Sequence, residues 1–381
     1  MVIDGFHLFF FFCSFVAIIY SYVVAEVIFD WKKNKEYSYS PKKNSTTVSV
    51  IIPARNEELT ILKCLESLVE QEYDKNLFEV IVVDDNSEDE TVRAVGAFIE
   101  KNKKINIRLI QLGQEGSGKK SAIKKAIDNS EAKLIITSDA DCWMNSKWLS
   151  VIVAFYQEWQ PKMILGPVLI DKNKTNLQIL QRLELMSLTA FTAAFSFKNK
   201  PIMSNGANLA YEREIFQQVN GFEGIDDIAS GDDVLLMNKI QEKFPGGVRF
   251  LKSREAIVFT DPVSNGTEFV NQRKRWVSKG LRRMNTTSIY VAVLVSLIQV
   301  VQFISLILSI FYGKFVIIFL LLFTVKFLMD LLLMKAISVF FDAEVPVLKM
   351  ILLQLVYVFS VILILAIGTR GDFQWKGRTV R

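Results

Sequence analysis

Acidic side chains follow two apolar runs of this 381-residue chain, at points where each run ends. Asp84 and Asp85 come directly after one run, and Asp139 and Asp141 follow another. Converging carboxylates repel each other unless a cation lies among them, and such hard oxygen ligands favour Mg²⁺ or Mn²⁺. Because magnesium is typically held by one or two carboxylates together with substrate phosphates, the pattern indicates a nucleotide diphosphate bound through a metal ion.

The composition restricts the other kinds of site. The single histidine, His7, lies in an apolar run, which argues against histidine acid–base catalysis and His-rich metal sites. Cys13, Cys64 and Cys142 are too few and too scattered for a disulfide framework or a zinc site, which indicates a reduced compartment. The net charge of +5 is a mild excess, so we expect no nucleic-acid partner.

Strand and helix patterns alternate through the region that contains these carboxylates. Apolar, β-branched runs predict strands over 48–52, 78–83, 105–112 and 134–137, and three-to-four spacing of apolar residues predicts helices over 57–70, 88–99 and 119–128. Such alternation predicts an α/β domain with a parallel sheet and right-handed crossovers. Ligands bind at the carboxyl ends of such strands, where the first strand also delivers Arg55, Asn56 and Glu57.

A glycine-rich segment offers a competing interpretation. Residues 113–119 follow a predicted strand, open a helix and match most of a phosphate-binding P-loop. That loop needs Ser or Thr directly after its lysine, but Lys120 follows Lys119 here, and Ser121 lies about 100° round the helix from the required position. The pattern therefore argues against a P-loop ATPase, and a flexible basic loop remains the other alternative.

Four apolar runs predict transmembrane helices. They cover 6–29, 288–312, 315–334 and 347–367, and each is long enough to cross a hydrocarbon core about 30 Å thick. Lys32, Lys33 and Lys35 follow the first run, and basic residues over 273–283 precede the second, so the domain between them is expected in the cytoplasm. Three C-terminal crossings would place the basic tail, 369–381, outside; the positive-inside tendency opposes this, and the sequence leaves its side open.

Two of the apolar stretches carry further features. Lys326 and Asp330 lie four residues apart inside the third run, so they share a helical face, and we favour a mutually neutralising pair over a functional charge. Residues 177–197 are apolar on much of their surface; either a core helix or an amphipathic helix on the membrane surface fits them, and we favour the amphipathic helix.

Taken in order, the polar motifs resemble the family 2 inverting glycosyltransferases of GT-A fold. The motifs are Val-Ser-Val-Ile-Ile-Pro-Ala-Arg-Asn-Glu (48–57), Val-Asp-Asp-Asn-Ser (83–87), Gly-Lys-Lys-Ser-Ala-Ile (118–123), Ser-Asp-Ala-Asp (138–141), Ser-Asn-Gly-Ala-Asn-Leu-Ala (204–210), Gly-Asp-Asp-Val-Leu (231–235) and Gln-Arg-Lys-Arg-Trp (272–276). The last resembles the Q-x-x-R-W motif of membrane-embedded members such as cellulose and hyaluronan synthases and ceramide glucosyltransferases. The resemblance implies a GT-A catalytic domain over 45–285 beside the transmembrane helices.

The resemblance also implies roles for individual residues. Those that would line the uridine pocket are Pro53, Arg55, Glu57, Asp84 and Asp85. Lys119 would lie against the nucleotide, Asp139 would face the ribose and diphosphate and contribute to the metal site, and Asp141 would bind the metal.

For the reacting end, the resemblance implies that Asp233 is the general base. The preceding residue, Asp232, stands where the family usually has Glu, and the structural alternative for the pair is an acidic helix N-terminus. Within the Q-x-x-R-W match, which Gln272 opens, Arg275 and Trp276 would close over the diphosphate and shape the acceptor entrance. Inverting transfer does need a carboxylate to take the acceptor proton and cations to stabilise the leaving diphosphate.

Three functions are compatible with this pattern. We favour transfer of one sugar from a nucleotide-sugar, most simply a UDP-sugar, to a lipid or lipid-linked acceptor in the membrane. The alternative is a processive polysaccharide synthase that exports a glycan, although four predicted spans make a long channel harder to build. A catalytically inactive scaffold is disfavoured by the intact Asp139, Asp141, Asp233 and Arg275.

Overall fold

The computed structural model describes residues 4–39, 45–113, 116–172, 174–225, 231–278, 284–368, 373–375 and 378–380. The helices are α1 (Gly5–Lys33), α2 (Ile61–Val69), α3 (Thr91–Lys101), α4 (Lys119–Asp128), α5 (Trp148–Trp159), α6 (Asn176–Phe197), α7 (Arg213–Gln218), α8 (Asp232–Lys243), α9 (Gly266–Ser278), α10 (Thr286–Phe311), α11 (Phe315–Phe341) and α12 (Val347–Gly368). The strands are β1 (Val48–Ala54), β2 (Phe78–Asp84), β3 (Asn106–Gln111), β4 (Leu134–Thr137), β5 (Cys142–Met144), β6 (Met163–Leu165), β7 (Val168–Ile170), β8 (Leu209–Glu212), β9 (Val248–Phe250), β10 (Val258–Thr260), β11 (Phe373–Trp375) and β12 (Arg378–Val380).

A seven-stranded sheet in the order β3-β2-β1-β4-β8-β6-β9 forms the centre of the polar region. The first four strands pair in parallel, as the alternating sequence pattern predicts, while β8 runs antiparallel to both β4 and β6. Three further strands form a small sheet in the order β5-β10-β7. The predicted mixed, mainly parallel α/β fold is therefore confirmed, and the carboxyl ends of β1, β2 and β4 lie at one edge.

The core extends on both faces of the large sheet. Side chains alternate along β1, so that Val50 and Ile52 join one buried cluster while Ile51 joins the other. The cluster around Ile51 continues into the apolar helices through residues such as Val24 and Ile318. The sheet domain and the helical bundle thus share one buried cluster rather than packing as separate bodies.

Two predicted helices begin later than their periodicity indicates. The helix expected from Glu57 begins at Ile61, because Asn56 has a left-handed backbone (φ 50°) and the chain turns before the helix. The helix expected from Glu88 begins at Thr91, where the Asp89 side chain accepts from the Thr91 N–H at 3.0 Å. The helix over 119–128 and the strand over 134–137 have the predicted bounds.

Four helices, α1, α10, α11 and α12, are long and apolar enough to cross a membrane. α11 continues beyond the predicted end at Met334 to Phe341, because Lys335 lies on its exposed face and does not interrupt it. The basic tail lies outside the described residues except for the short hairpin of β11 and β12.

α6 joins the two parts of the molecule. Met186, Ala190 and Ala193 on one face lie in the main core, which supports the core alternative for that face. At its end, Lys198 pairs with Asp30 of α1 at 2.9 Å. Because α6 also packs against β7 and β9, it holds the first apolar helix against the sheet.

Candidate active site

The end of β1 is tied to the loop after β2 by one buried guanidinium. Arg55 is 5% exposed and donates to the backbone carbonyls of Asp85 (2.7 Å) and Asn86 (2.5 Å). It also pairs with Glu88 at 3.1 Å. Arg55 therefore fixes the shape of the loop that carries Asp85, and it borders a pocket of about 550 Å³ beside Asp84.

Asp84 and Asp85 are buried at this edge, and both accept backbone hydrogen bonds. Asp84 accepts from the N–H of Ser87 at 3.2 Å, and Asp85 accepts from the N–H of Gly118 at 3.0 Å. Gly118 precedes α4 with φ 89°, a conformation that glycine adopts without strain. Asp85 thus positions the first turn of α4, which carries Lys119.

Lys119 reaches carboxylates from two parts of the chain. Its Nζ lies 2.5 Å from Asp139 Oδ1 and 3.8 Å from Asp232 Oδ2. Burial of the amine acts to lower its pKa, but attraction to Asp139, Asp232 and Asp233 outweighs this and raises the pKa of Lys119 above its ordinary value. Lys119 is therefore a permanent cation at the centre of the acidic cluster.

The loop before β8 closes over this cluster. A Cβ on Gly206 would lie 2.8 Å from Lys119 Nζ and 3.4 Å from Asp232 Oδ2, so only a glycine leaves the amine in place. The Gly206 N–H donates to Asp233 Oδ2 at 3.1 Å. Asp232 and Asp233 begin α8 and are both buried, after Gly231 with φ 86°. The two acidic residues at the N-terminus of α8 therefore belong to the acidic cluster around Lys119.

Asp139 and Asp141 could hold a divalent metal ion. Their carboxylates and the Cys142 thiol lie within 4.8 Å of one another. Burial and the two neighbouring carboxylates raise the pKa of the Cys142 thiol, which disfavours the thiolate that binds metals. The donor set that remains, two carboxylates, fits a hard cation such as Mg²⁺ or Mn²⁺. Cys142, which the sequence excluded only as part of a zinc site, directly follows the Asp-Ala-Asp triplet and therefore lies beside these carboxylates.

α9 carries Gln272, Arg275 and Trp276 to the rim of the same cavity. The residue between them, Arg273, is 5% exposed, and its Nε donates to Glu184 of α6 at 3.1 Å. Its guanidinium carbon lies 4.2 Å from the ring centre of Trp276. In the sequence Arg273 is only one residue of a basic flank, and nothing local indicates its distant partner on α6.

One cavity of about 1240 Å³ connects the predicted site residues. Its lining includes all predicted residues except Asp84, which borders the smaller pocket: Pro53, Arg55, Glu57, Asp85, Lys119, Asp139, Asp141, Asp232, Asp233, Gln272, Arg275 and Trp276. The cavity then continues between α6 and α9 to the apolar helices, where Val291, Leu333 and Leu353 line it. A polar, acidic chamber is thereby joined to an apolar one.

Residues 49–219, somewhat under half of the chain, match the family model described as glycosyl transferase family 2. The match begins in β1 and ends just after α7, and it contains the Asp84, Lys119 and Asp139 regions. The match supports the predicted glycosyltransferase domain over the part of the chain that carries these motifs.

Curated relatives resemble part of the chain. The probable glycosyltransferase YdaM of Bacillus subtilis is 28% identical over 249 residues, 65% of this chain and 56% of that protein. A beta-monoglucosyldiacylglycerol synthase of Nostoc is 28% identical over 141 residues, 37% of this chain and 30% of that protein. The chain thus spans little more than half of the first relative and less of the second.

Among solved structures, a mannosyltransferase from Pyrobaculum calidifontis, in complex with GDP-Man and Mn²⁺, resembles nearly the whole chain. The TM-score is 0.56 at 17% identity, and the alignment covers 94% of this chain and 95% of that one. At this identity the likeness concerns the fold, and it extends over the sheet domain and the apolar helices together.

Proposed function

We propose that this chain, which carries a glycosyl transferase family 2 domain, is a membrane-bound inverting glycosyltransferase. It would move a sugar from a nucleotide-sugar, in the first instance a UDP-sugar, to a hydroxyl group of a lipid or lipid-linked acceptor. The observation that carries the proposal is the single cavity that joins Asp139, Asp141 and Asp233 to the apolar helices. A water-soluble acceptor would need no such connection.

The donor would bind where β1, β2 and β4 end. Asp84 and Asp85 with Pro53 and Glu57 would surround the nucleobase, while Arg55 keeps their loop in shape through its bonds to backbone carbonyls. The mannosyltransferase of similar fold binds GDP-Man, so a guanosine donor is the alternative to uridine.

Three groups would supply positive charge to the departing diphosphate: the metal ion, Lys119 and Arg275. Asp139 and Asp141 would hold Mg²⁺ or Mn²⁺, which supplies positive charge to the departing diphosphate. Lys119 lies 2.5 Å from Asp139, close enough to contact the same phosphates. Arg275 lines the same cavity from α9, the helix that Arg273 and Glu184 fix to α6.

Asp233 would act as the general base. Its two oxygens accept from the N–H groups of Gly206 (3.1 Å) and Val234 (2.8 Å), which orient the carboxylate at the start of α8. Asp232 instead lies toward Lys119, at 3.8 Å. The difference in contacts supports Asp233 as the group that takes the acceptor proton and Asp232 as a partner of the nucleotide-binding lysine.

The proposed arrangement in the membrane follows from the flanking charges. Residues 6–29 and 288–367 would span the bilayer around a cytoplasmic catalytic domain, 45–285, since Lys32 and Lys33 end α1. The basic flank before α10 is a weaker argument, because Arg273 is turned inward to Glu184.

The experiment is to incubate membranes that contain the protein with sugar-labelled UDP-sugars and GDP-mannose. We expect label in the organic-solvent extract, absent with the Asp233→Asn variant. Label recovered only in insoluble polymer would contradict transfer to a lipid and support a processive synthase. If neither the organic extract nor the insoluble polymer contains label, and the donor is not hydrolysed, the proposal that the protein is a glycosyltransferase is contradicted.

A further inference from the structure

The walls of the large cavity carry an excess of negative charge. Among the described residues, the lining includes five cationic side chains: Arg55, Lys119, Arg273, Arg275 and Lys326. It includes ten carboxylates: Glu57, Asp85, Asp139, Asp141, Glu184, Asp232, Asp233, Asp261, Glu268 and Asp330. A divalent metal ion and the diphosphate of a bound donor would largely cancel each other, so the excess would remain when the donor site is filled.

In the ion pairs of this lining, the carboxylate is more exposed than the cation. The side chain of Asp139 is 37% exposed, against 22% for its partner Lys119. Deeper in the cavity, the side chain of Asp330 is 28% exposed, against 5% for its partner Lys326. A ligand in the cavity therefore reaches the acidic member of each pair more readily than the basic one.

The same holds in the passage between α6 and α9. Glu184 is 14% exposed, against 6% for its partner Arg273. The guanidinium carbon of Arg273 also lies 4.2 Å from the ring centres of both Phe269 and Trp276. With a carboxylate and two aromatic rings around it, this guanidinium is poorly placed to bind the phosphate of a ligand.

Two further carboxylates line the cavity where α9 begins. Asp261 pairs with Lys172 at 2.9 Å, but Lys172 itself does not line the cavity. Glu268 accepts from the N–H of Ser264 at 3.0 Å, and this hydrogen bond lowers the pKa of Glu268 below its ordinary value. Glu268 is therefore ionised at neutral pH, and the start of α9 adds negative charge to the lining.

The reaction proposed at Asp233 also distinguishes an uncharged acceptor from a phosphorylated one. The acceptor oxygen forms a bond to the anomeric carbon, the bond from that carbon to the diphosphate breaks, and the diphosphate leaves with the electron pair. A hydroxyl acceptor loses its proton in this step, and Asp233 receives it. A phosphate monoester, with a second pKa of about 6, has no such proton at pH 7 and would place its own negative charge beside Asp233.

We propose that the acceptor is a lipid whose reacting hydroxyl belongs to an uncharged head group, and that the carboxylates of the cavity exclude lipids with a phosphate in the head. The proposal rests on the proposed lipid-acceptor function and deepens it. Like charges brought together oppose binding of the wrong partner, and here they would act on the head group alone. The hydrocarbon chains of either kind of lipid would lie along the same apolar lining.

The test compares two lipids that have the same chains and differ in the head group. Dioleoylglycerol and dioleoyl phosphatidate compete for the full-length protein in an uncharged detergent, and the bound lipids are quantified. Mn²⁺ and UDP are present, or GDP if UDP does not bind, so that the phosphate of phosphatidate cannot occupy the donor site. We expect the wild type to prefer dioleoylglycerol by about tenfold or more, because its head adds no like charge to the cavity.

A variant with Asp261→Asn and Glu268→Gln tests the cause of this preference. The two substitutions remove negative charge from the lining and keep the size of each side chain, so the preference should fall by about threefold or more at low salt. The control, Glu90→Gln with Asp128→Asn, removes the same charge from two exposed residues that do not line the cavity, and it should keep the wild-type preference. If the first variant fails to fold, Asp261→Asn alone replaces it, with a smaller decrease in the same direction.

Equal binding of the two lipids by the wild type, or a preference for phosphatidate, would overturn the inference. A preference that is unchanged by the substitutions at the start of α9 would also overturn it, because the carboxylates would not be its cause. These measurements are independent of catalysis, since no sugar donor is present. A preference for dioleoylglycerol without sugar transfer to any lipid would leave the selectivity of the cavity standing and contradict the proposed function. Transfer to phosphatidate but not to dioleoylglycerol would support a glycosyltransferase and overturn the inference.

Discussion

Lys119 is the residue on which the acidic cluster depends. It neutralises Asp139 and approaches Asp232, while Gly206 leaves just enough room for its amine. Without this cation, the half-buried Asp139 after β4 and the buried Asp232 and Asp233 of α8 would lie together with no positive charge among them. The position of one lysine thus connects the proposed nucleotide side of the site to the side of the proposed base.

A methyl group at Gly206 should displace that lysine. In Gly206→Ala the new Cβ would lie 2.8 Å from Lys119 Nζ, so the amine at the end of this flexible side chain must shift from its position. We expect donor KM to rise about tenfold, the loss of one charge-assisted contact of about 1.4 kcal/mol. Steady-state kinetics with the labelled donor measures the change.

Gly96→Ala is the control for that substitution. Gly96 lies within α3, where an added Cβ meets no atom within 4 Å. Alanine should leave donor KM unchanged and stabilise the helix by about 0.5–1 kcal/mol. A normal KM in Gly206→Ala, with thermal stability retained, would show that Lys119 does not contact the donor.

At the scale of elements, α9 is held on α6 by the Arg273–Glu184 pair. Both side chains are largely buried, and Arg273 also stacks on Phe269 and Trp276. Glu184→Gln should lower the free energy of unfolding by about 3 kcal/mol, because a buried guanidinium loses its charge partner. Activity of Glu184→Gln should also fall, because Arg275 and Trp276 lie on α9 and their positions depend on its attachment to α6.

The exposed pair of Arg93 and Glu90 provides the comparison. Its side chains are 85% and 64% exposed, so Glu90→Gln should change stability by less than about 0.5 kcal/mol. Chemical denaturation in detergent measures both variants. If Glu184→Gln and Glu90→Gln change the free energy of unfolding by similarly small amounts, the Arg273–Glu184 pair does not hold α9 on α6.

A second attachment joins the sheet domain to α1 and depends on pH. Lys252 donates to the carbonyls of Trp31 (2.6 Å) and Asn34 (2.8 Å), and burial lowers the pKa of Lys252 to about 8. The unfolded chain holds this proton up to its ordinary pKa of 10.5, so the lysine's contribution to stability should rise as pH increases from about 8 to 10.5. The Tm of the wild type minus that of Lys252→Met, followed over this range, should increase; a constant or falling difference would contradict the assignment.

The helices and strands could largely be predicted from the sequence, whereas the long-range contacts between their side chains could not. The helix over 119–128 and the strand over 134–137 follow from local periodicity alone, and the pairing of Lys326 with Asp330 follows from their spacing. Arg273 and Glu184 are far apart in sequence, so no local pattern connects them. Gly206 likewise looks like any loop glycine until the fold brings Lys119 beneath it.

At the scale of the molecule, a buried cluster and a long cavity both extend from the sheet to the apolar helices. If α1 and α10–α12 span a membrane, the sheet domain lies on the side of Lys32 and Lys33. Protease added to sealed vesicles with the cytoplasmic face inward should then spare 45–285, whereas inside-out vesicles should lose it. Rapid cleavage of this region in the first preparation, with the vesicles verified intact, would reverse the proposed orientation.

The central claim is that the acidic end of the cavity is the active site of an inverting transfer. Its most direct test measures donor affinity and turnover separately for Asp141→Asn and Asp233→Asn, with Mn²⁺ present. Asp141→Asn should lose metal-dependent donor binding. Asp233→Asn should keep donor affinity while turnover falls about 10²–10⁴-fold, the usual contribution of a general base. Loss of donor binding by Asp233→Asn as severe as that by Asp141→Asn, or full loss of turnover in Asp232→Asn alone, would contradict the account.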